Sequence, residues 1–371
     1  MTLKIAFIHN YYINYRVPLF KMLSKIFTIR FYLDDIHEFT EKVDKTITFT
    51  INIGPKIKGI RFPILLWLRL IRYEPDVIIA GDATYPSTIM AFIISKLLKK
   101  PYILWEERWL WHSNIKSALL WPIARLIALK SDVLIVPGTL SKRFYENMGV
   151  TTKKIIIAPN ASCIAFDENQ RVNTEKLRKK LSLNDKVVIL YLGRIVPYKG
   201  VHLILKALVR LKNEGIHKVH LLIVGGKCDP EYKKLLNEYA RLNNLNDNVT
   251  IIGSVKEREK GLYYEIADII IYPSYYEVWG LVVNEAALAG KPVISTITCA
   301  AAYEILRKYP ILLVNPGDLK ELSRKLMTLV SDTQLRERIG RTLRLLVNEK
   351  YSYKNMLKGF IKAVLYSLSR K

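Results

Sequence analysis

Residues Tyr272 to Ser295 read YPSYYEVWGLVVNEAALAGKPVIS. The apolar run Ile269 to Tyr272 predicts a short strand, closed by Pro273 and Ser274. Seven residues separate Glu277 from Glu285. Glu277 falls in the loop after the strand. Glu285 falls in a small-residue helix that follows Gly280 and stops at Gly290 and Pro292, where a new strand starts at Val293. A helix start of this kind suits an anion. Backbone N–H groups around Gly280, Leu281 and Val282 lack helical partners and can face a phosphate. Glu285 lies about one turn further in, where a carboxylate reaches sugar hydroxyls. Glu277 sits beside whatever the phosphate carries.

Two further pieces stand upstream in the same order. Gly193-Arg194 follows an apolar strand and is separated by four residues from Lys199-Gly200, which opens a helix. Leu222-Ile223-Val224-Gly225-Gly226 is a strand followed by a glycine turn. Taken singly, Arg194 and Lys199 are ordinary surface cations and Glu285 a solvated helix charge. Jointly they mark the carboxyl ends of predicted strands, where open α/β sheets bind ligands.

Together these motifs resemble the donor-binding signature of the retaining glycosyltransferases of family 4, which have the GT-B fold. Pro273, Ser274, Glu277, Trp279, Gly280, Glu285, Ala286, Gly290, Pro292 and Val293 match it, and Val278 departs from the usual Gly or Pro. The resemblance covers the second half of the chain well and the first half in outline. It implies a nucleotide-diphospho-sugar donor, UDP- or GDP-linked. Gly193, Arg194, Lys199, Glu277, Gly280, Leu281, Val282 and Glu285 bind it, with Arg194 and Lys199 on the diphosphate, Glu277 on the sugar and Glu285 on the ribose. Glu277, Arg194 and Lys199 are the catalytic candidates. Retention of configuration also comes from the resemblance. No cofactor is expected.

Length and pattern predict two domains. A chain of 371 residues exceeds one typical core. In the first half, Ile-, Val- and Tyr-rich strands alternate with helices: strands over 4–8, 28–33, 46–51, 77–80, 102–105, 133–136 and 155–158, and helices over 17–25, 62–72, 86–98, 115–130 and 140–148. The second half repeats this from Val187 onward. Near-continuous apolar strands without polar alternation indicate parallel sheets buried on both faces, and strand–helix alternation implies βαβ units. The expected class is α/β, with two Rossmann-like domains facing across a cleft. Residues 1–163 form the first domain and residues 164–174 a linker, with Thr174 capping a helix from Glu175. Residues 175–350 form the second domain, and residues 351–371 a helix that crosses back to the first.

Other chemistry is excluded or unsupported. There is no Walker loop and no Gly-x-Gly-x-x-Gly, so a dinucleotide site is not expected. Asp34-Asp35 stands without a matching carboxylate cluster, and hard cations need oxygen ligands. A metal-free site is therefore expected, with Arg194 and Lys199 neutralising the diphosphate directly. Cys163, Cys228 and Cys299 are widely spaced and suggest neither a disulfide framework nor a metal site.

The formal charge is +25. Residues 1–172 carry 24 Lys and Arg against 14 Asp and Glu; the rest carry 34 against 19, so the excess is spread over both halves. Such a field attracts polyanions, and without a nucleic-acid-binding motif an anionic membrane surface is the expected partner. The start MTLKIAFIHN reads as a first strand rather than a leader, and a cytoplasmic chain lying peripherally on the membrane is expected. The stretch IRFPILLWLRLIR (60–72) reads as a basic amphipathic helix, suited equally to a core edge and to a membrane interface.

The acceptor side is less marked. The first loop, His9 to Arg16, has no glycine. The later strand ends Leu104-Trp105-Glu106-Glu107-Arg108, without the histidine many family members have. Tyr15 to Phe20 resembles the Tyr-Arg-x-Pro-Leu-Phe start of one branch. Asn14, Arg16, Glu106 and Glu107 are the acceptor-site candidates, and His112 is a fallback. The alternative for the glutamates is an ion pair with Arg108 or Arg125. The functional expectation is transfer of a sugar to a glycan or lipid-linked acceptor in polysaccharide, lipid-linked oligosaccharide or glycolipid synthesis. An epimerase on the same fold and a non-catalytic basic peripheral protein are the competing readings.

Overall fold

The computed structural model describes residues 2–37, 40, 43–44, 46–111, 115–164 and 170–369. The chain divides into two compact units, Met1–Asn160 with Ser352–Lys371, and Ala161–Tyr351.

In the first unit the strands are β1 (Lys4–Tyr12), β2 (Thr28–Ile36), β3 (Phe49–Ile51), β4 (Lys56–Ile57), β5 (Ile60–Arg61), β6 (Val77–Gly81), β7 (Tyr102–Trp105), β8 (Val133–Val136) and β9 (Ile155–Ile157). The helices are α1 (Val17–Ser24), α2 (Leu66–Tyr73), α3 (Pro86–Leu97), α4 (Ile115–Lys130) and α5 (Thr139–Asn147). Seven strands form one sheet in the order β3-β2-β1-β6-β7-β8-β9, and every pairing in it is parallel. Strands β6, β7 and β8 are fully buried, as their unbroken apolar runs require. β4 and β5 make a separate antiparallel hairpin.

Three local readings are corrected. β1 does not stop at Ile8: Tyr11 and Tyr12 still pair with Asp35 and Ile36, so His9 to Tyr12 is strand, not loop. The helix expected from Phe62 begins at Leu66. The N–H groups of Phe62 and Ile64 are spent on Pro55 and Ile53 carbonyls, each at 3.0 Å, which holds that stretch extended up to Pro63. The strand expected over 46–51 starts only at Phe49.

The second unit contains α6 (Gln170–Lys180), β10 (Val187–Leu192), α7 (Val201–Asn213), β11 (Val219–Val224), α8 (Pro230–Leu242), β12 (Val249–Gly253), α9 (Lys260–Ile266), β13 (Ile269–Tyr272), α10 (Leu281–Leu288), β14 (Val293–Thr296), α11 (Ala300–Leu306), β15 (Leu313–Val314), α12 (Leu319–Ser331) and α13 (Thr333–Lys350). Its parallel sheet runs β12-β11-β10-β13-β14-β15. Thr174 lies inside α6 rather than capping it. The expected linker overlaps residues 165–169, which lie outside the described residues, as does His112.

The last helix, α14 (Tyr353–Leu368), belongs to the first unit. Its Phe360 is fully buried, with ring centroids 5.1 Å from Trp105 and 6.1 Å from Phe7. Gly359 permits the approach, since a Cβ there would lie 2.5 Å from the Ala158 side chain. The chain therefore leaves the first unit and returns to it, as expected. Among the described residues no helix is long and apolar enough to cross a membrane.

Candidate functional site

In the second sheet, strand order reverses between β10 and β13, the place where such sheets leave a crevice at their carboxyl ends. Gly193-Arg194 emerges from β10 there and Pro273-Ser274 from β13. A short 3-10 turn, Pro197–Lys199, leads to Gly200, whose φ of 72° is left-handed and opens α7. A Cβ on Gly200 would lie 2.3 Å from the Pro273 carbonyl oxygen. Glycine is what lets the Lys199 turn press against the Pro273 loop.

That contact assembles a buried polar cluster. Lys199 is 3% exposed. Its Nζ donates to the Tyr272 hydroxyl at 2.8 Å and to Glu277 Oε2. Tyr272 in turn donates to Glu277 Oε2 at 2.7 Å. Glu277 is fixed through its backbone, donating its N–H to the Thr298 carbonyl at 3.1 Å and bridging to Cys299. Burial lowers the Lys199 pKa to about 8, with the Arg194 charge acting in the same direction, while the Glu277 carboxylate supplies a counter-charge. Arg194 is exposed and donates to the Tyr198 hydroxyl.

Gly280 caps α10 with φ 93°. A Cβ there would fall 2.5 Å from Cys299 Sγ. The amides of Leu281 and Val282 lie in the first turn, ahead of any intrahelical acceptor. Glu285 is 5% exposed. It accepts from Tyr264 at 2.7 Å and from Ser162 at 3.1 Å, and burial raises its pKa. Lys199, Tyr272 and Glu277 thus form one hydrogen-bonded group at the sheet edge, and Glu285 a second, held by other partners. Among the described residues no group of three or more His, Cys, Asp or Glu is placed to hold a metal ion.

Sequence reasoning missed Tyr272, Tyr264 and Ser162. Tyr272 ends the strand that introduces the motif, and its position there was the available signal. Tyr264 and Ser162 are remote in sequence, 21 and 123 residues from Glu285. Tyr272→Phe should lower unfolding stability by about 1–2 kcal/mol, because it removes one hydrogen bond from buried Lys199 and one from half-buried Glu277. Urea unfolding reads this, and an unchanged midpoint would show that the hydroxyl holds nothing.

The first unit has its own cluster at the ends of β1 and β7. Arg16 is 5% exposed, lies 3.9 Å over the Trp105 ring and donates to Glu107 Oε1 at 2.5 Å. Asn160 donates to the same oxygen at 2.9 Å. Burial pushes the Glu107 pKa up, but Arg16 and Asn160 bring it below the ordinary value. His9 lies against Trp105 at 5.2 Å, and burial, then Arg16, lowers its pKa to about 4. Glu106 turns the other way. It is 2% exposed, accepts the Ala83 N–H at 2.6 Å and lies 3.9 Å from Arg108, and burial raises its pKa. Asn14 is partly buried in the Asn14–Arg16 turn. Arg16 and Glu107 therefore belong together, Glu106 does not join them, and Arg125 donates to the Met148 carbonyl. His9 and Asn160 were not singled out from the sequence.

A family model described as glycosyl transferases group 1 matches residues 173–345. The capsular polysaccharide biosynthesis glycosyltransferase CapM of Staphylococcus aureus is 26% identical over 298 residues, covering 78% of this chain and 76% of CapM. A lipopolysaccharide 1,2-N-acetylglucosaminetransferase of Salmonella typhimurium is 28% identical over 239 residues, covering 61% of this chain and 60% of that one. Among solved structures, Anabaena HepE in complex with UDP superposes with a TM-score of 0.78 at 19% identity, covering 98% of this chain and 99% of HepE. A glycosyltransferase from Rickettsia africae gives a TM-score of 0.80 at 17% identity over 100% of both chains. These structures share the fold.

Proposed function

We propose that this chain, a group 1 glycosyltransferase of GT-B fold, transfers a sugar from a nucleotide-diphospho-sugar to a glycan or lipid-linked acceptor. Transfer proceeds with retention and without a metal ion, on a cytoplasmic membrane surface. The observation that carries this reading is the Lys199–Tyr272–Glu277 cluster beside the start of α10, at the point where the second sheet reverses order.

In this reading the leaving diphosphate is met by Arg194 and Lys199 through charge-assisted hydrogen bonds. Glycine-capped first-turn amides, from Gly280 to Val282, add a helix terminus. Such preorganised electrostatics usually carries the largest share of rate enhancement. Lys199 then passes from Glu277 to the diphosphate, and the released Glu277 carboxylate is available to the hydroxyls of the transferred sugar. Glu285 takes a ribose hydroxyl in place of Ser162. Arg16 and Glu107, with Asn14 beside them, suit a polyhydroxylic acceptor better than Glu106, which supports the backbone at Ala83. HepE, solved in complex with UDP-glucose, supports a UDP-linked hexose. Glycan assembly named for CapM and for the Salmonella enzyme supports a surface polysaccharide or glycolipid product.

A thermal-shift and calorimetry screen of UDP-, GDP-, ADP- and dTDP-sugars, at low and moderate salt and with a chelator present, tests this. One nucleotide class should stabilise the chain, by roughly 2.7 kcal/mol at about a hundred times its Kd. The effect should persist at moderate salt and in chelator. A shift with every polyanion that vanishes as salt rises would instead favour the non-catalytic basic protein.

A further inference from the structure

Helices α2, α3 and α4 cover one face of the first unit's sheet. Leu66 and Leu70 of α2, Ala91 and Ile94 of α3, and Ala124 and Ile127 of α4 join a single buried cluster there. Their other sides mix large apolar side chains with cations, where amphipathic helices normally turn a wholly polar surface outward. Trp67 and Ile71 of α2, Leu97 of α3, and Leu119, Ile123 and Leu126 of α4 are all exposed, Leu97 and Leu119 to more than 70%. Leu119, Ile123 and Leu126 recur at the spacing of one continuous helix face. Single exposed apolar residues are normal, but a patch of them on one layer marks an interaction surface.

The charges on this layer are of one sign. No Asp or Glu occurs within α2, α3 or α4, while Arg72, Lys96, Arg125 and Lys130 are exposed on them. Acids return only beyond the helix ends, and the nearest after α4, Asp132, is taken by Lys96 at 3.3 Å and by the Tyr102 N–H at 2.8 Å.

We propose that the outer side of α2, α3 and α4 is the face by which this chain lies on an anionic lipid bilayer. The inference rests on the membrane-surface reading above and adds which surface makes the contact. Exposed leucines, isoleucines and a tryptophan on helices that carry Arg72, Arg125 and Lys130 and no acid fit the headgroup–acyl boundary. The apolar bodies enter it and the Lys and Arg heads meet lipid phosphates. The stretch 60–72 singled out from the sequence is one margin of this surface, and α4 supplies its most exposed apolar stripe.

Cosedimentation of the full chain with phosphatidylcholine vesicles, with and without phosphatidylglycerol, tests the face. Two variants of equal charge change are compared. Leu119→Glu with Ile123→Glu and Leu126→Glu alters the exposed stripe. Lys354→Gln with Lys358→Gln and Lys362→Gln alters exposed positions of α14. Wild type should bind the anionic vesicles. The stripe variant should bind at least about tenfold more weakly, and the α14 variant within about threefold of wild type. A nucleotide thermal shift equal to wild type verifies that both variants are folded. A stripe variant that binds like wild type, or an α14 variant that loses as much, overturns this face and leaves the membrane reading standing. No binding by wild type overturns both.

Discussion

Lys199→Met should reduce kcat/KM with the nucleotide-sugar donor by about 10²–10³-fold, the scale seen when one preorganised donor to a developing anion is removed. Methionine keeps the length and apolar body of the side chain, so the loss reports the ammonium rather than a hole. Arg194→Met should weaken donor binding too, but less, because Arg194 is exposed and screened by water. Lys199→Met also takes the counter-charge away from the Glu277 carboxylate. The double variant Lys199→Met with Glu277→Gln should therefore regain stability relative to the single one, without regaining activity. Steady-state kinetics and urea unfolding separate the two effects. Activity within about threefold of wild type in Lys199→Met would remove the residue from the site.

The same residue gives the pH dependence its sign. The Lys199 pKa of about 8 lies below the ordinary 10.5. In the proposed reaction the diphosphate is met by the ammonium, which is present below that pKa and lost above it. Donor affinity should thus fall as pH rises through about 8. Folding stability moves the other way: between the folded and unfolded pKa values the unfolded chain holds the extra proton, so this group makes stability rise with pH. Calorimetric titration of the donor across this range reads the first trend. Affinity that stays flat would mean Glu277 holds the proton on Lys199 throughout.

Gly200→Ala should lower stability by roughly 2–4 kcal/mol and activity by about 10²-fold, through two separable causes. Its φ of 72° is a left-handed conformation that disfavours an L side chain, and the added methyl meets the Pro273 carbonyl oxygen at 2.3 Å. Relief moves either the turn that carries Lys199 or the loop that leads to Glu277. Gly215 is the natural control, with a φ of 79° and nothing within 4 Å of the place a Cβ would take. Gly215→Ala carries the conformational cost alone, about 1 kcal/mol, and should leave activity unchanged. Equal losses in the two variants would show that the Pro273 contact is immaterial.

The sequence disclosed the scaffold more fully than the chemistry. Buried parallel strands such as Val133–Val136 and Val219–Val224 are uninterrupted apolar runs, and their ends matched because little else can follow a strand buried on both faces. The start of α2 was misjudged because a helical apolar pattern continued back to Phe62, whereas backbone pairing to Ile53 and Pro55, invisible to periodicity, holds that stretch extended. Lys199 and Glu277 are expected at the same sheet edge from their places after strands, but their direct pairing is not, because it depends on how the Gly200 turn meets the Pro273 loop. The separate environment of Glu285 could not, because Ser162 reaches it across 123 residues. Likewise, Glu106 and Glu107 are neighbours in sequence with opposite surroundings, one under Ala83 and one against Arg16. Both lie just past the end of β7, and the cation that binds Glu107 comes from the Asn14–Arg16 turn, 91 residues away in sequence.

The return of α14 to the first unit has a consequence for how the protein is made. Synthesis runs from the N-terminus, so the strands that carry Phe7 and Trp105 emerge early, yet the Phe360 that covers them lies in the last helix. The whole of Ala161–Tyr351 is translated in between and has every strand of its own sheet by then. During that interval Phe7 and Trp105 have α1 beside them but lack Phe360, and partly exposed aromatic surface of this kind is what chaperones bind and what drives aggregation. Met1–Asn160 thus emerges before Ala161–Tyr351 but is completed after it, and a ribosome that stalls before α14 releases a chain whose second unit is whole and whose first is not.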